Sequence, residues 1–256
     1  MKKQEQEQDK LLHFEKSEGV WRYSHNTKIP IKILTLDCHP RADPRKMTKV
    51  DFIDFLRLCK APIHIIEWVN EQPLYDFRSI WQTFNNPGEM MWILDRFDME
   101  AANCTKHMII LCCCEIIDFY FYSMSPDDEP LSFTHSIREF LNLRLRLDDF
   151  QEIIETVNGL KEANKGVYSD TARPLDLSKS LFFQSTETLM EYAVSDFVTY
   201  RTENTSVRDV VNGIVDAFGY YAQHKTMMPN TGDTWVYARA KAKKHIAQKI
   251  KDHFVF

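Results

Sequence analysis

The feature that most restricts the fold is a single apolar stripe: Val207, Val210, Val211, Ile214, Val215 and Phe218 recur at i, i+3, i+4, i+7, i+8 and i+11. That spacing places all six side chains on one face of an amphipathic α-helix. Helix punctuation runs through much of the chain. Thr48-x-x-Asp51 has capping-box spacing, and Phe52, Phe55, Leu56 and Cys59 follow at the intervals of one helix face. Ala61-Pro62, Gln72-Pro73 and Asn86-Pro87 put proline at three first-turn positions, the last with Asn86 as cap and Glu89 in the first turn. Each proline predicts the start of a new short helix. The stretch Met99 to Ser123 is the most apolar and is expected to be the central helix, with Asn103, His107 and Asp118 on one narrow polar face. Further helices are expected at Ser132 to Leu145, Asp148 to Asn164, Leu175 to Arg201, Ser206 to His224 and Thr234 to Phe254. The fold class is all-α, an irregular multi-helix bundle, with Trp68, Trp81, Trp92, Cys112 and Phe119 expected in one core.

Residues 1–45 read differently. Gln, Glu and Lys crowd the first ten positions, and Trp21-Arg22-Tyr23 and Ile29 to Leu36 suggest short extended pieces closed by turns at His39-Pro40 and Asp43-Pro44. This predicts an N-terminal arm, residues 1–45, carrying at most a small β-hairpin, followed by a helical domain over residues 46–256. The irregular connector at 166–174 is a candidate sub-boundary, although burial shared across it is the expected arrangement.

Glycine is scarce, 7 residues in 256, or about 3% where about 7% is ordinary. G-x-G-x-x-G, G-x-x-x-x-G-K-[ST] and G-x-S-x-G are all absent, which removes the usual entry points for dinucleotide, P-loop and α/β-hydrolase chemistry. No apolar run approaches the 18 residues of a membrane helix, and MKKQEQEQDK lacks the apolar core of a signal peptide. The chain is therefore expected to be soluble and cytoplasmic, with its six cysteines as reduced thiols.

Candidate chemistry is sparse. Cys112, Cys113 and Cys114, with Cys104 and His107 nearby, offer soft ligands, yet three consecutive residues of a helix point about 100° apart and cannot converge on one ion. They read as small core thiols, so no metal and no cofactor is expected. His64 with Glu67, and His135 with Glu139, have the spacing of acid and base on one helix face, a pattern that also arises as ordinary surface contact. No catalytic residue follows from these pairs, and the chain reads as a non-enzyme.

Charge carries more information. Residues 62–158 hold 6 basic against 17 acidic side chains, whereas residues 232–256 hold 6 basic against 2 acidic. An acidic middle attracts a basic partner, unless the basic ends fold back and consume it. The densest carboxylates are Asp127, Asp128 and Glu129, in a loop bounded by Pro126 and Pro130, and Asp148, Asp149 and Glu152, and these six are the candidate partner-binding residues. In the C-terminal helix Arg239, Lys243 and Lys244 are the candidates for an alternative nucleic-acid surface.

Ala61 with Glu67-Trp68-Val69, then Trp81, Met91-Trp92-Ile93-Leu94-Asp95-Arg96, the cysteine-bearing helix Met108 to Cys114, Pro126 to Pro130, Ile137-Arg138-Glu139 and the closing helix Ala238 to Phe254 follow an order that resembles a family of helical immunity proteins of bacteria and their phages. The resemblance covers about half the chain. It departs at Glu115, where the family has a basic residue, and in residues 166–230, which lack the family's alanine-rich character. The resemblance implies a helical fold and a stoichiometric, phage anti-defence-like binder that sequesters or inhibits a partner protein, with no catalytic residue to carry over.

Overall fold

Thr48 and Asp51 form the expected capping box, with each backbone N–H donating to the other side chain at 3.2 Å and 2.9 Å, and this reciprocal bonding starts helix α1, Lys49–Leu58. The computed structural model describes residues 14–17, 20–23, 43–97, 106–124, 131–164, 174–195, 206–226 and 232–256. Among these the expected all-α character holds. After a 3-10 turn at Pro44–Lys46 come α1, α2 (Ile63–Glu71), α3 (Phe77–Thr83), α4 (Pro87–Arg96), α5 (Lys106–Met124), α6 (Leu131–Leu141), α7 (Leu147–Asn164), α8 (Pro174–Val194), α9 (Val207–Lys225) and α10 (Gly232–His253). The chain divides into two compact units, Met1–Asp37 and Cys38–Phe256. In the first, β1 (Phe14–Ser17) and β2 (Val20–Tyr23) pair antiparallel, Phe14 opposite Tyr23 and Ser17 opposite Val20, so the arm carries the small hairpin. The second unit contains all the helices among the described residues.

Two of the three prolines behave as expected. Pro62 is the N-cap of α2, and Pro87 opens α4 behind Asn86. Pro73 instead ends α2: it holds Gln72 extended, at φ −65° and ψ 134°, and α3 begins four residues later behind Asp76, whose carboxylate accepts from Ser79 N–H at 2.9 Å. The caps of α1 and α3 also pair with each other, Lys49 N–H donating to Tyr75 O at 2.8 Å and Phe77 N–H to Met47 O at 2.9 Å.

Helix α6 stops at Leu141, short of the expected Leu145. Leu143 adopts a left-handed φ of 59°, and the N–H groups of Leu143 and Arg144 return to Phe140 O and Glu139 O at 3.0 Å and 2.8 Å, a Schellman closure. Lys60 closes α1 the same way at φ 55°. Such sites ordinarily carry glycine, and these two carry lysine and leucine instead. Leu143 is 82% exposed and packs on nothing that a glycine would lose. Leu143→Gly is therefore expected to raise stability by about 0.5 kcal/mol, the left-handed strain relieved less the added freedom of the unfolded chain. Urea unfolding measures it, and a lower midpoint for the variant would contradict the left-handed cap.

The stripe of α9 is buried as its spacing requires: Val207, Val210, Val211, Ile214 and Val215 are 0–1% exposed. Helix α9 packs against α4, α5, α8 and α10, and small residues permit the close approaches. Ser178 Oγ of α8 donates to Ala217 O at 2.7 Å, a Cβ added to Gly213 would lie 2.2 Å from Ser185 Oγ, and one added to Gly219 would lie 2.8 Å from Arg239 Cγ. Helix α5 contacts α4, α6, α8, α9 and α10, which explains how three successive cysteines are each 0% exposed.

Trp81 and Cys112 lie in the core, and Trp68 and Trp92 pack half-buried against it. Phe119 departs from expectation. It is 45% exposed, because the outward stripe of α5 runs through His107 and, two turns on, Glu115, Phe119 and Tyr122 at successive turns. Of the 166–174 connector, Pro174 alone is among the described residues, and the helices on either side, α7 and α8, pack against each other.

Candidate functional site

Helix α7 is amphipathic. Phe150 and Val157 are buried, with Ile153 and Ile154 packed against the core, and Phe150 stacks on Phe140 of α6 at 4.3 Å with ring planes 5° apart. That anchor fixes which way the first turns of α7 face. Asp148, Asp149, Glu152 and Glu155 all emerge exposed on the opposite side. Carboxylates there also complement the positive end of the helix dipole, which favours them without any partner.

Whether the basic C-terminal segment neutralises this face is answered by where its side chains go. Among the described residues the ion pair on these carboxylates is Arg146 with Asp148, at 3.5 Å, with both side chains about 80% exposed, a contact worth well under 1 kcal/mol. Four basic side chains of α10 are engaged elsewhere, and among the described residues none of its cations pairs with these carboxylates. Arg239 pairs with Asp216 at 2.6 Å and lies over the Trp235 ring at 4.1 Å. Lys251 is buried and donates to Gln82 O at 2.8 Å and Asn85 Oδ1 at 3.2 Å, and burial lowers its pKa. Lys249 sits over Phe119 at 5.2 Å, and His253 meets Glu115 at 2.9 Å. The described carboxylates of α7 therefore remain turned to solvent.

The other three acidic candidates, Asp127, Asp128 and Glu129, lie outside the described residues. Of the basic candidates, Arg239 serves the α9–α10 interface, Lys243 is half-buried and Lys244 is exposed. The three are not equivalent members of one surface.

The described cysteines sit in an unreactive setting. Burial pushes the thiol of Cys114 up to about 12 and that of Cys113 well above its ordinary value, and Cys59 rises to about 11. Cys104 lies outside the described residues, which hold no cluster of three metal-ligating side chains. The helix-spaced His–Glu pairs are re-partnered by the fold: Glu139 pairs with Arg144 at 3.4 Å, and His64 lies 3.7 Å from Glu89 of α4.

Glu89 was legible only as a first-turn residue of α4. It is 2% exposed, and Arg208, at the start of α9, reaches it with Nη2 2.6 Å from Oε1. A residue 119 positions away in sequence supplies the counter-charge, and no local spacing announces such a pair. At the next interface Asp118 of α5 joins Arg138 at 2.7 Å and Thr134 at 2.6 Å on α6.

The class these features define is an all-α multi-helix protein with an outward acidic helix face and part-buried ion pairs between helices. No family model matches the chain, and no curated protein or solved structure matches it either. Among the described residues, no helix is long and apolar enough to cross a membrane.

Proposed function

We propose that the protein is a non-enzymatic binder, immunity-like or anti-defence-like, that sequesters or inhibits a basic partner protein through the acidic face of α7. The observation that carries this reading is the solvent-facing set Asp148, Asp149 and Glu152, which the described cations of α10 leave unneutralised. Rigid placement supports it. The Phe140–Phe150 stack holds the face in one orientation before binding, so little ordering cost remains to be met on association. The resemblance to helical immunity proteins supports the mode of action, stoichiometric capture. The nucleic-acid alternative keeps Lys243 and Lys244 but loses Arg239 to Asp216, so it has fewer phosphate contacts to offer.

The test is capture of a partner by the purified protein, followed by association kinetics with the triple variant Asp148→Lys, Asp149→Lys and Glu152→Lys. Charge reversal on a steering surface is expected to slow association by about tenfold or more at low salt and to reduce its salt dependence, with the helical circular dichroism unchanged. An association rate indifferent to both the substitutions and salt would place the interface elsewhere. A variant that unfolds would show the carboxylates to be structural.

A further inference from the structure

Helix α10 turns one stripe to solvent that the described residues leave uncovered. Tyr237, Lys241 and Lys244 are all exposed and recur at i, i+4 and i+7, within about 60° of one another around the helix. Tyr237 is 73% exposed, and among the described residues neither Lys241 nor Lys244 has a charged partner. The helix as a whole carries six lysine and arginine side chains against two carboxylates. Helix α7 is its electrostatic complement, with five carboxylates against one lysine. Within one chain α8 and α9 separate the two. Helix α7 packs on α8, α8 on α9 and α9 on α10, which sets the charged helices at the two ends of that series.

A glycine on the outer face of α7 points to the kind of partner. Gly159 lies inside the helix and exposed, one turn beyond Glu155 and two beyond Glu152. Glycine destabilises a helix interior relative to alanine, and a Cβ built at this position would meet nothing within 4 Å, so no described neighbour requires it. What a solvent-facing glycine provides is close approach of another element. Laid antiparallel on α7 with Lys241 opposite Glu152, α10 brings Lys244 opposite Asp149 and Tyr237 opposite Thr156, between Glu155 and the gap at Gly159. The opposed helix dipoles favour the same direction. We propose that the exposed stripe of α10 docks on the α7 face of a second copy of this chain, which rests on the reading of that face as a site for a basic partner. Two different surfaces meet in this contact, so the association is head-to-tail and builds chains or a ring, not a two-fold dimer.

Sedimentation velocity of the purified full chain tests it. At about 50 mM NaCl the chain should self-associate with Kd below about 100 μM, and at about 500 mM the affinity should fall about tenfold or more, because exposed charge pairs are screened. Lys241→Glu with Lys244→Glu, and separately Asp149→Lys with Glu152→Lys, should each leave the chain monomeric with its helical circular dichroism unchanged. Mixed in equal amounts, the two variants should associate again, since each keeps the face that the other has lost and the two reversed faces also match. Gly159→Gln fills the gap without changing charge, and it should raise the urea midpoint while weakening association by about tenfold. It keeps the test standing should a reversal variant fail to fold. A chain that stays monomeric at several times that concentration, association that survives either reversal in a folded variant, or variants that remain apart when mixed would each overturn the self-docking. The wider reading of α7 is read out separately. If the chain is monomeric yet reversal of Asp148, Asp149 and Glu152 still slows capture of a basic partner, self-docking alone has failed, and if that capture is also indifferent, the α7 face is not a docking site.

Discussion

Phe256→Ala should lower the unfolding free energy by about 3–4 kcal/mol, a core-sized loss from a residue that follows the last helix. Its ring is 6% exposed and meets three others nearly edge-on: Phe77 at 5.2 Å, Trp81 at 5.3 Å and Phe97 at 6.0 Å. Those rings are themselves interlocked, Phe52 with Phe77 at 4.8 Å and Phe55 with Phe97 at 4.9 Å. The cluster thereby joins α1, α3 and the residue after α4 to the end of α10. Truncation leaves a cavity whose walls are stiff aromatic rings and collapse poorly, which puts the cost in the upper part of the range for buried residues. Val255, adjacent in sequence but 73% exposed, supplies the control, and Val255→Ala should change stability by less than about 0.5 kcal/mol. Urea unfolding followed by circular dichroism compares the two. Equal midpoints for both variants would show that the Phe256 ring does not belong to the core.

Arg208→Ala should cost about 3 kcal/mol, the low end of the range for breaking a buried ion pair by removing one partner. The loss arises because the Glu89 carboxylate stays behind, 3% exposed at its side chain, without the guanidinium 2.6 Å away. It falls at the low end for two reasons. Arg208 is itself 35% exposed, and His64, 3.7 Å from the same oxygen, remains. Removing both charges is a different experiment. The double variant Arg208→Met with Glu89→Met leaves no charge buried and should recover more than half of the single variant's loss, since apolar replacement of a whole buried pair is close to neutral. A double-mutant cycle with a coupling free energy near zero would show that the two side chains stabilise the fold independently.

Most of the helical architecture was legible because its signals are local. The i, i+3, i+4 stripe of α9, the Thr48–Asp51 box and the Asn86-Pro87 start of α4 each depend on residues within a few turns of one another, and the structure realises all three. Helix ends were harder. The end of α6 depends on Leu143 accepting a left-handed backbone, and a leucine carries no sign of it. Pro73 was ambiguous for a related reason: a proline disfavours helix in the residue before it as strongly as it favours a first turn, and here the former effect decided.

The candidate site divides along the same line. Asp148, Asp149 and Glu152 could be picked out from charge density alone, and an amphipathic period with Phe150 and Val157 on the inner face already implied that they point outward. That the C-terminal cations would leave them alone was decided by packing, since Arg239 finds Asp216 and Lys251 finds Gln82 and Asn85 on other helices. The same holds for Phe119, an apolar residue on an apolar helix that faces solvent because the helices around α5 leave that one stripe uncovered. It holds most of all for Glu89, an ordinary first-turn carboxylate that becomes a buried group once α9 brings Arg208 against it. Local propensity and periodicity determine which segments are helical and which face of each is apolar. Which charge is buried and which aromatic is left outside depend on contacts between residues far apart in the chain, and those exist only after the helices have packed.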